Sequence, residues 1–114
     1  MNKRIKARWI KALTSGRYKQ ARARLRQNTD DSASFCCLGV LCDLYRKSVG
    51  GEWDGPSFVV SQREARSALL PPTVAEWAEI DSNDPVTERT KTLSDLNDRG
   101  ETFEYIAQRI EKYL

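Results

Sequence analysis

The stretch FCCLGVLCDLY, residues 35–45, constrains this chain more than any other part of it. Only Asp43 within it carries a charge, and no other stretch of the 114 residues stays as apolar for as long. Read as a helix over residues 35–48, it sets Leu38, Leu41, Cys42 and Tyr45 on one stripe, widened by Val40 and Leu44. Ser34 is placed to cap its start. A helix apolar nearly all round until Arg46 and Lys47 belongs at the centre of a core. It falls far short of the roughly 20 apolar residues that span a bilayer. Gly39 stands inside it, where glycine costs about 1 kcal/mol relative to alanine. Close approach of another backbone or of a ligand would account for that glycine, as would a helix that starts later.

Cys36, Cys37 and Cys42 all fall in this stretch. Their C-C-x4-C spacing lacks the second cluster of a zinc site, and neighbouring Cys36 and Cys37 diverge too far on a helix to bridge each other. Free cysteine packs as a small hydrophobe, so core packing is the expected role, ahead of a reactive thiol and well ahead of a metal ligand. An odd, clustered set with no export signal points to a reducing cytoplasm.

The flanking segments read as shorter elements. Ile5, Trp9, Ala12 and Leu13 repeat at helical spacing over residues 2–13, and Gly16 follows as the stop. Residues 18–25 alternate, which predicts a strand carrying Tyr18, Gln20, Arg22 and Arg24 on one face. Residues 28–34 read as a polar turn. Trp53 sits in a glycine-punctuated loop, SFVVS (57–61) is a short strand, and Pro72 opens a helix with Val74, Trp77 and Ala78. Residues 81–85 read as a turn and 86–91 as a strand. Thr92 opens a helix that ends at Gly100, and residues 102–114 place Phe103, Ile106, Ala107, Ile110, Tyr113 and Leu114 on one face. The expectation is an α+β fold: one domain over residues 1–114, with four to five helices packed on a small antiparallel sheet. A chain of this length buries enough surface to fold without disulfides or a metal.

Histidine is absent, which removes Ser-His and Cys-His catalysis and most zinc and iron sites. Asp95 with Asp98, and Glu76 with Glu79, read as solvated helix faces rather than catalytic pairs, and no glycine-rich phosphate loop is present. The formal net charge of +3 conceals an asymmetry. Ten of the nineteen basic residues lie within the first 26 positions, and no acidic residue precedes Asp30. Such a segment either meets an anionic partner or folds against the acidic remainder. TLSDLNDRGETFEYIAQRIEKYL resembles the first two helices of a helix-turn-helix domain. No recognition helix follows it in this chain, and Glu101, Glu104 and Glu111 oppose Arg109 and Lys112, so a packing hairpin is expected.

Taken together, WIKALTSGRYKQ, FCCLGVLCDLY, the isolated Trp53, LPPTVAEWAEI and TLSDLNDRGETFEYIAQRI resemble a family of small bacteriophage and prophage proteins, with CCLGVLCDL as the most specific block. The resemblance covers most of the chain but departs at the Arg22-Ala23-Arg24 stretch after Gln20 and carries nothing over residues 54–68, and it brings no catalytic residues. It implies residence in the host bacterial cytoplasm. With the residues themselves it implies a non-enzymatic binding protein that antagonises host antiviral defence. The partner would be a nucleotide-derived immune signal held as by a sponge, or a host defence protein masked. For signal capture the candidate ligand-binding residues are Trp9, Tyr18, Gln20, Arg22, Arg24, Cys37, Asp43, Trp53 and Asn97. Arginines would pair with phosphate, aromatic rings would stack on a base, and Gln20 and Asn97 would read polar edges. A homo-oligomer would complete the pocket across a symmetric interface. No cofactor or metal is expected, and no membrane partner. The alternative is a nucleic-acid-binding accessory protein using the basic first 26 residues.

Overall fold

The computed structural model describes residues 1–29, 32–88 and 91–114. Among them five helices and eight short strands form the α+β architecture that the sequence predicts. Helix α1 (Lys3–Thr14) is capped by Asn2, whose side-chain oxygen accepts from the backbone N–H groups of Arg4 and Ile5, each at 3.0 Å. Ile5, Trp9 and Leu13 turn inward, and Gly16 ends the helix in the left-handed region at φ 77°.

Helix α2 (Cys37–Ser48) is the central element, buried without a break over residues 37–45. Around it pack α1, strand β3 (Ser32–Phe35), α3 (Pro72–Ala78) and α4 (Leu93–Asp98). Its cap is Cys36 rather than Ser34: the Cys36 sulfur accepts from Gly39 N at 3.4 Å. Ser34 lies inside β3, which carries the chain into the helix two residues later than expected. The close approach anticipated at Gly39 is the backbone of Leu25, which crosses the first turn of α2. All three cysteines are free and buried, consistent with core packing.

Three small sheets surround this centre. The first has the order β1-β3-β2: β1 (Lys19–Gln20) runs parallel to β3, and β2 (Arg26–Thr29) runs antiparallel to it. Residues 28–34, expected to be a turn, thus supply most of a hairpin, with residues 30 and 31 outside the described residues. The long strand expected over 18–25 stops at Gln20. Ala23 adopts a left-handed conformation at φ 69°, which breaks the alternation. Alanine and arginine favour strand only weakly. Here tertiary bonds take over: Ala23 N donates to Asp98 Oδ1 at 2.8 Å and Ala21 O accepts from Asn97 Nδ2 at 2.7 Å. Tyr18, Gln20, Arg22 and Arg24 therefore share no strand face.

The second sheet is an antiparallel meander of β4 (Glu52–Asp54), β5 (Ser57–Ser61) and β6 (Glu64–Arg66), with Trp53 opposite Phe58. Trp53 thus lies in a strand and not a loop. The third pairs β7 (Val86–Glu88) with β8 (Lys91–Thr92). The strand expected over 86–91 is two strands instead, and positions 89 and 90 lie outside the described residues. Thr92 caps α4 as expected. Helix α5 (Phe103–Tyr113) buries Phe103, Ile106, Ala107 and Ile110 and packs on α1, so the helix-turn-helix-like segment is a packing hairpin. Tyr113 departs from the expected face and lies exposed beside Arg109 and Lys112. No helix among the described residues is long and apolar enough to cross a membrane.

Candidate functional site

One side of α2 emerges from the core at Asp43, Arg46 and Lys47, which helical spacing of three and four places on one face. Asp43 stays 5% exposed, and its carboxylate is surrounded by donors. Oδ2 accepts from the Tyr18 hydroxyl at 2.7 Å, and Oδ1 accepts from Trp53 Nε1 at 3.0 Å and Arg46 Nε at 2.8 Å. Lys47 Nζ stands 3.8 Å from Oδ2. One carboxylate thereby ties α2 to the chain leaving α1 and to β4.

Those ties hold three aromatic rings in a wall. Tyr18 meets Phe35 edge-on with centroids 5.2 Å apart, and Phe35 meets Trp53 at 5.6 Å. Trp53 is braced from behind by Phe58 at 5.0 Å. The wall borders an open cleft of about 600 Å³, to which Arg17, Arg26, Arg46 and Lys47 bring positive charge and Glu52 a negative one. Arg26 lies over the Trp53 ring at 5.6 Å, and its buried Nε has no hydrogen-bond partner among the described residues. Lys47 lies over the Tyr18 ring at 5.5 Å.

Burial and hydrogen bonding shift the Asp43 carboxyl and the Tyr18 phenol in opposite directions. Burial alone pushes the Asp43 carboxyl up. The hydrogen bonds from Arg46, Tyr18 and Trp53, with the Arg46 charge, outweigh it and hold the group below the ordinary carboxylate value. Burial pushes the Tyr18 phenol up, and the hydrogen bond to Asp43 and its charge add to this, so the hydroxyl remains a donor. Burial likewise pushes the Cys36 thiol up to about 11 and those of Cys37 and Cys42 well above the usual value, leaving no thiolate nucleophile.

The depressed carboxyl sets a pH dependence. Asp43 contributes its full stabilisation above the unfolded carboxylate value of about 3.9 and loses it as pH falls from there through the lower folded value. Thermal melts followed down to about pH 2 should therefore fall more steeply below about pH 4 for the wild type than for Asp43→Asn. Parallel curves would show that the carboxyl is not held down.

Of the nine candidate residues, the fold brings Tyr18, Asp43 and Trp53 together in this cleft. Trp9 is fully buried, its Nε1 donating to Cys37 O at 3.0 Å, and so presents no ring to a base. Cys37 and Asn97 are fully buried beside it, with Asn97 Oδ1 accepting from Cys37 N at 3.1 Å. Gln20 is exposed but its side chain is engaged with that buried group, donating to Asn97 Oδ1 at 3.0 Å and Glu101 O at 2.8 Å. Arg22 packs beside Gly100, and Arg24 reaches Ser67 Oγ at 3.4 Å. Neither borders the cleft. Sequence reasoning missed Arg17, Arg26, Phe35, Arg46 and Lys47. Arg46 and Lys47 were within reach, because both lie one turn beyond Asp43. Arg17 and Arg26 belong to the basic first 26 residues, but which of those cations border the cleft is decided by long-range packing.

Among the described residues no cluster of thiols and carboxylates could hold a metal ion. No curated protein and no solved structure matches the chain. The relationship that does emerge spans every element described above, from the capped start of α1 to the end of α5. Residues 1–114 match the family described as a domain of unknown function (DUF8296), and the chain belongs to that family.

Proposed function

We propose that the protein is a non-catalytic binding protein that captures a nucleotide-derived signal, and that it does so as a phage-encoded antagonist of host antiviral defence. The observation that carries the binding part is the juxtaposition, in one cleft, of Tyr18, Phe35 and Trp53 with Arg17, Arg26, Arg46 and Lys47. Flat rings favour a flat base, and guanidinium and ammonium groups favour phosphate. The phage and anti-defence part rests on the sequence resemblance.

The protonation states favour binding over turnover. Asp43 is spent on three donors and held ionised, Tyr18 is held protonated, and the thiols are buried, so none of these groups is poised to move a proton near neutral pH.

The test is titration of the purified protein with a panel of nucleotides, followed by denaturation and mass analysis of what it held. Saturable binding with the ligand returned unchanged is expected. Arg17→Glu, an exposed substitution at the cleft wall, should weaken binding about 10- to 150-fold, the worth of one charged hydrogen bond. A hydrolysed product from the wild type would make the protein an enzyme. Undiminished affinity in Arg17→Glu would move the site elsewhere.

A further inference from the structure

A second cleft, of about 430 Å³, adjoins the first and lies between α1 and α2. Arg17, Tyr18 and Lys47 line both, so Tyr18 and its two cationic neighbours form a shared wall. The character of the space changes across that wall. The first cleft has the aromatic rings and two carboxylates, Asp43 and Glu52. The second adds Arg8, Lys11 and Ser15 and has no carboxylate in its lining. Arg8 and Lys11 lie one turn apart on the exposed side of α1, and Arg8 is steadied by Ser48 Oγ at 2.8 Å. No carboxylate among the described residues forms an ion pair with Arg8, Lys11 or Arg17.

Four cations around one small cleft repel one another, and two or more phosphate groups set apart along one ligand meet more of them than a single phosphate can reach. Each cleft alone falls in the size range of a small-molecule site. Resting on the reading of the aromatic cleft as a base site, we infer that the ligand is a nucleotide bearing two or more phosphate groups. Its ring occupies the Tyr18, Phe35 and Trp53 cleft, and its phosphates pass the Tyr18 wall to Arg8, Lys11, Arg17 and Lys47. Two kinds of molecule share this chemistry, a nucleoside polyphosphate and a phosphodiester-linked dinucleotide.

Tryptophan fluorescence gives the readout, because Trp53 borders the cleft, while Trp9 is sealed in the core and Trp77, on α3, lines neither cleft. The full-length protein is titrated with AMP, ATP, a cyclic diadenylate, inorganic triphosphate and a single-stranded oligonucleotide. ATP or the cyclic dinucleotide should bind about tenfold or more tighter than AMP, and whichever is tighter identifies the source. Lys11→Glu and Arg8→Glu, both exposed and outside the first cleft, should shrink that preference towards parity, with thermal melts confirming the fold. Equal affinity for AMP and for the nucleotides with more phosphate groups would overturn the second subsite while leaving the base site standing. So would a preference that both variants retain. Binding of none of the nucleotides would overturn the base site itself. Inorganic triphosphate binding as tightly as ATP would show that the ring contributes nothing. Affinity that grows with oligonucleotide length and falls steeply with salt would replace both readings by a nucleic-acid interface.

Discussion

Gly39→Ala should destabilise the fold by about 3 kcal/mol or more, although the same change in an ordinary helix stabilises it by about 1 kcal/mol. The reason is the crossing of Leu25. A methyl group on Gly39 would lie 1.8 Å from the Leu25 carbonyl oxygen and 2.7 Å from its carbon. Leu25 has no room to retreat. Its carbonyl accepts from Cys36 N at 3.1 Å, its N–H donates to Ser67 O at 2.7 Å, and its side chain is fully buried. Displacing it breaks bonds at the start of α2 and along the segment that leads into β2. Gly16→Ala provides the comparison. There a methyl group meets nothing within 4 Å, and the cost should be only that of the left-handed backbone, roughly 1–2 kcal/mol. Chemical denaturation of both variants checks this, and a Gly39→Ala protein as stable as the wild type would show that the crossing is looser than described.

The next largest loss is expected at Asn97, a fully buried amide that ties α4 to two other segments at once. Its Oδ1 accepts from Cys37 N at 3.1 Å and from Gln20 Nε2, and its Nδ2 donates to Ala21 O at 2.7 Å. The backbone partners fix the orientation of the amide, since a flipped group would set donor against donor at Cys37. Asn97→Leu keeps the approximate size but orphans a buried N–H in the first turn of α2 and a buried carbonyl at Ala21. Each orphan costs about 1–3 kcal/mol, so the loss should be roughly 2–6 kcal/mol, a large part of the stability of a domain this small. Gln20→Met, which removes only the exposed partner and leaves both backbone groups satisfied, should cost under about 1 kcal/mol. Equal stability of the two variants, measured by denaturant titration, would show that Asn97 does not hold these segments.

Asn97 also shows how a residue read as polar and available turns out to be internal. From the sequence it looked able to meet a ligand edge. Its neighbours Leu93 and Leu96 already marked the buried side of α4, and an asparagine one residue beyond Leu96 turns partly toward the same side. Trp9 carries the same lesson in reverse. Its place between Ile5 and Leu13 marked it for the core, and helical period should have outweighed its value as a stacking ring.

The sequence by itself determined what depends on local period: the bounds of α1 and α5 within a residue or two, the start of α3 at Pro72, the burial of α2 and the core role of its cysteines, while for Gly39 it offered either a close neighbour or a later helix start, and both are found. These are legible because a helix repeats every 3.6 residues and writes its buried face into consecutive positions. Tertiary structure decided the rest. Whether residues 18–25 and 28–34 become strand or irregular chain turned on partners far away in sequence, Phe35, Ser67, Asn97 and Asp98, because strand pairing and backbone capping are satisfied between segments and not within them. The cleft follows the same rule. Tyr18 and Trp53 share one carboxylate only because α2, β4 and the chain leaving α1 converge on it, and packing alone selects Arg17 and Arg26 from the basic first 26 residues to border the cleft. Local patterning set which residues are inside; the long-range pairing of short strands set which polar and aromatic residues stand next to one another outside.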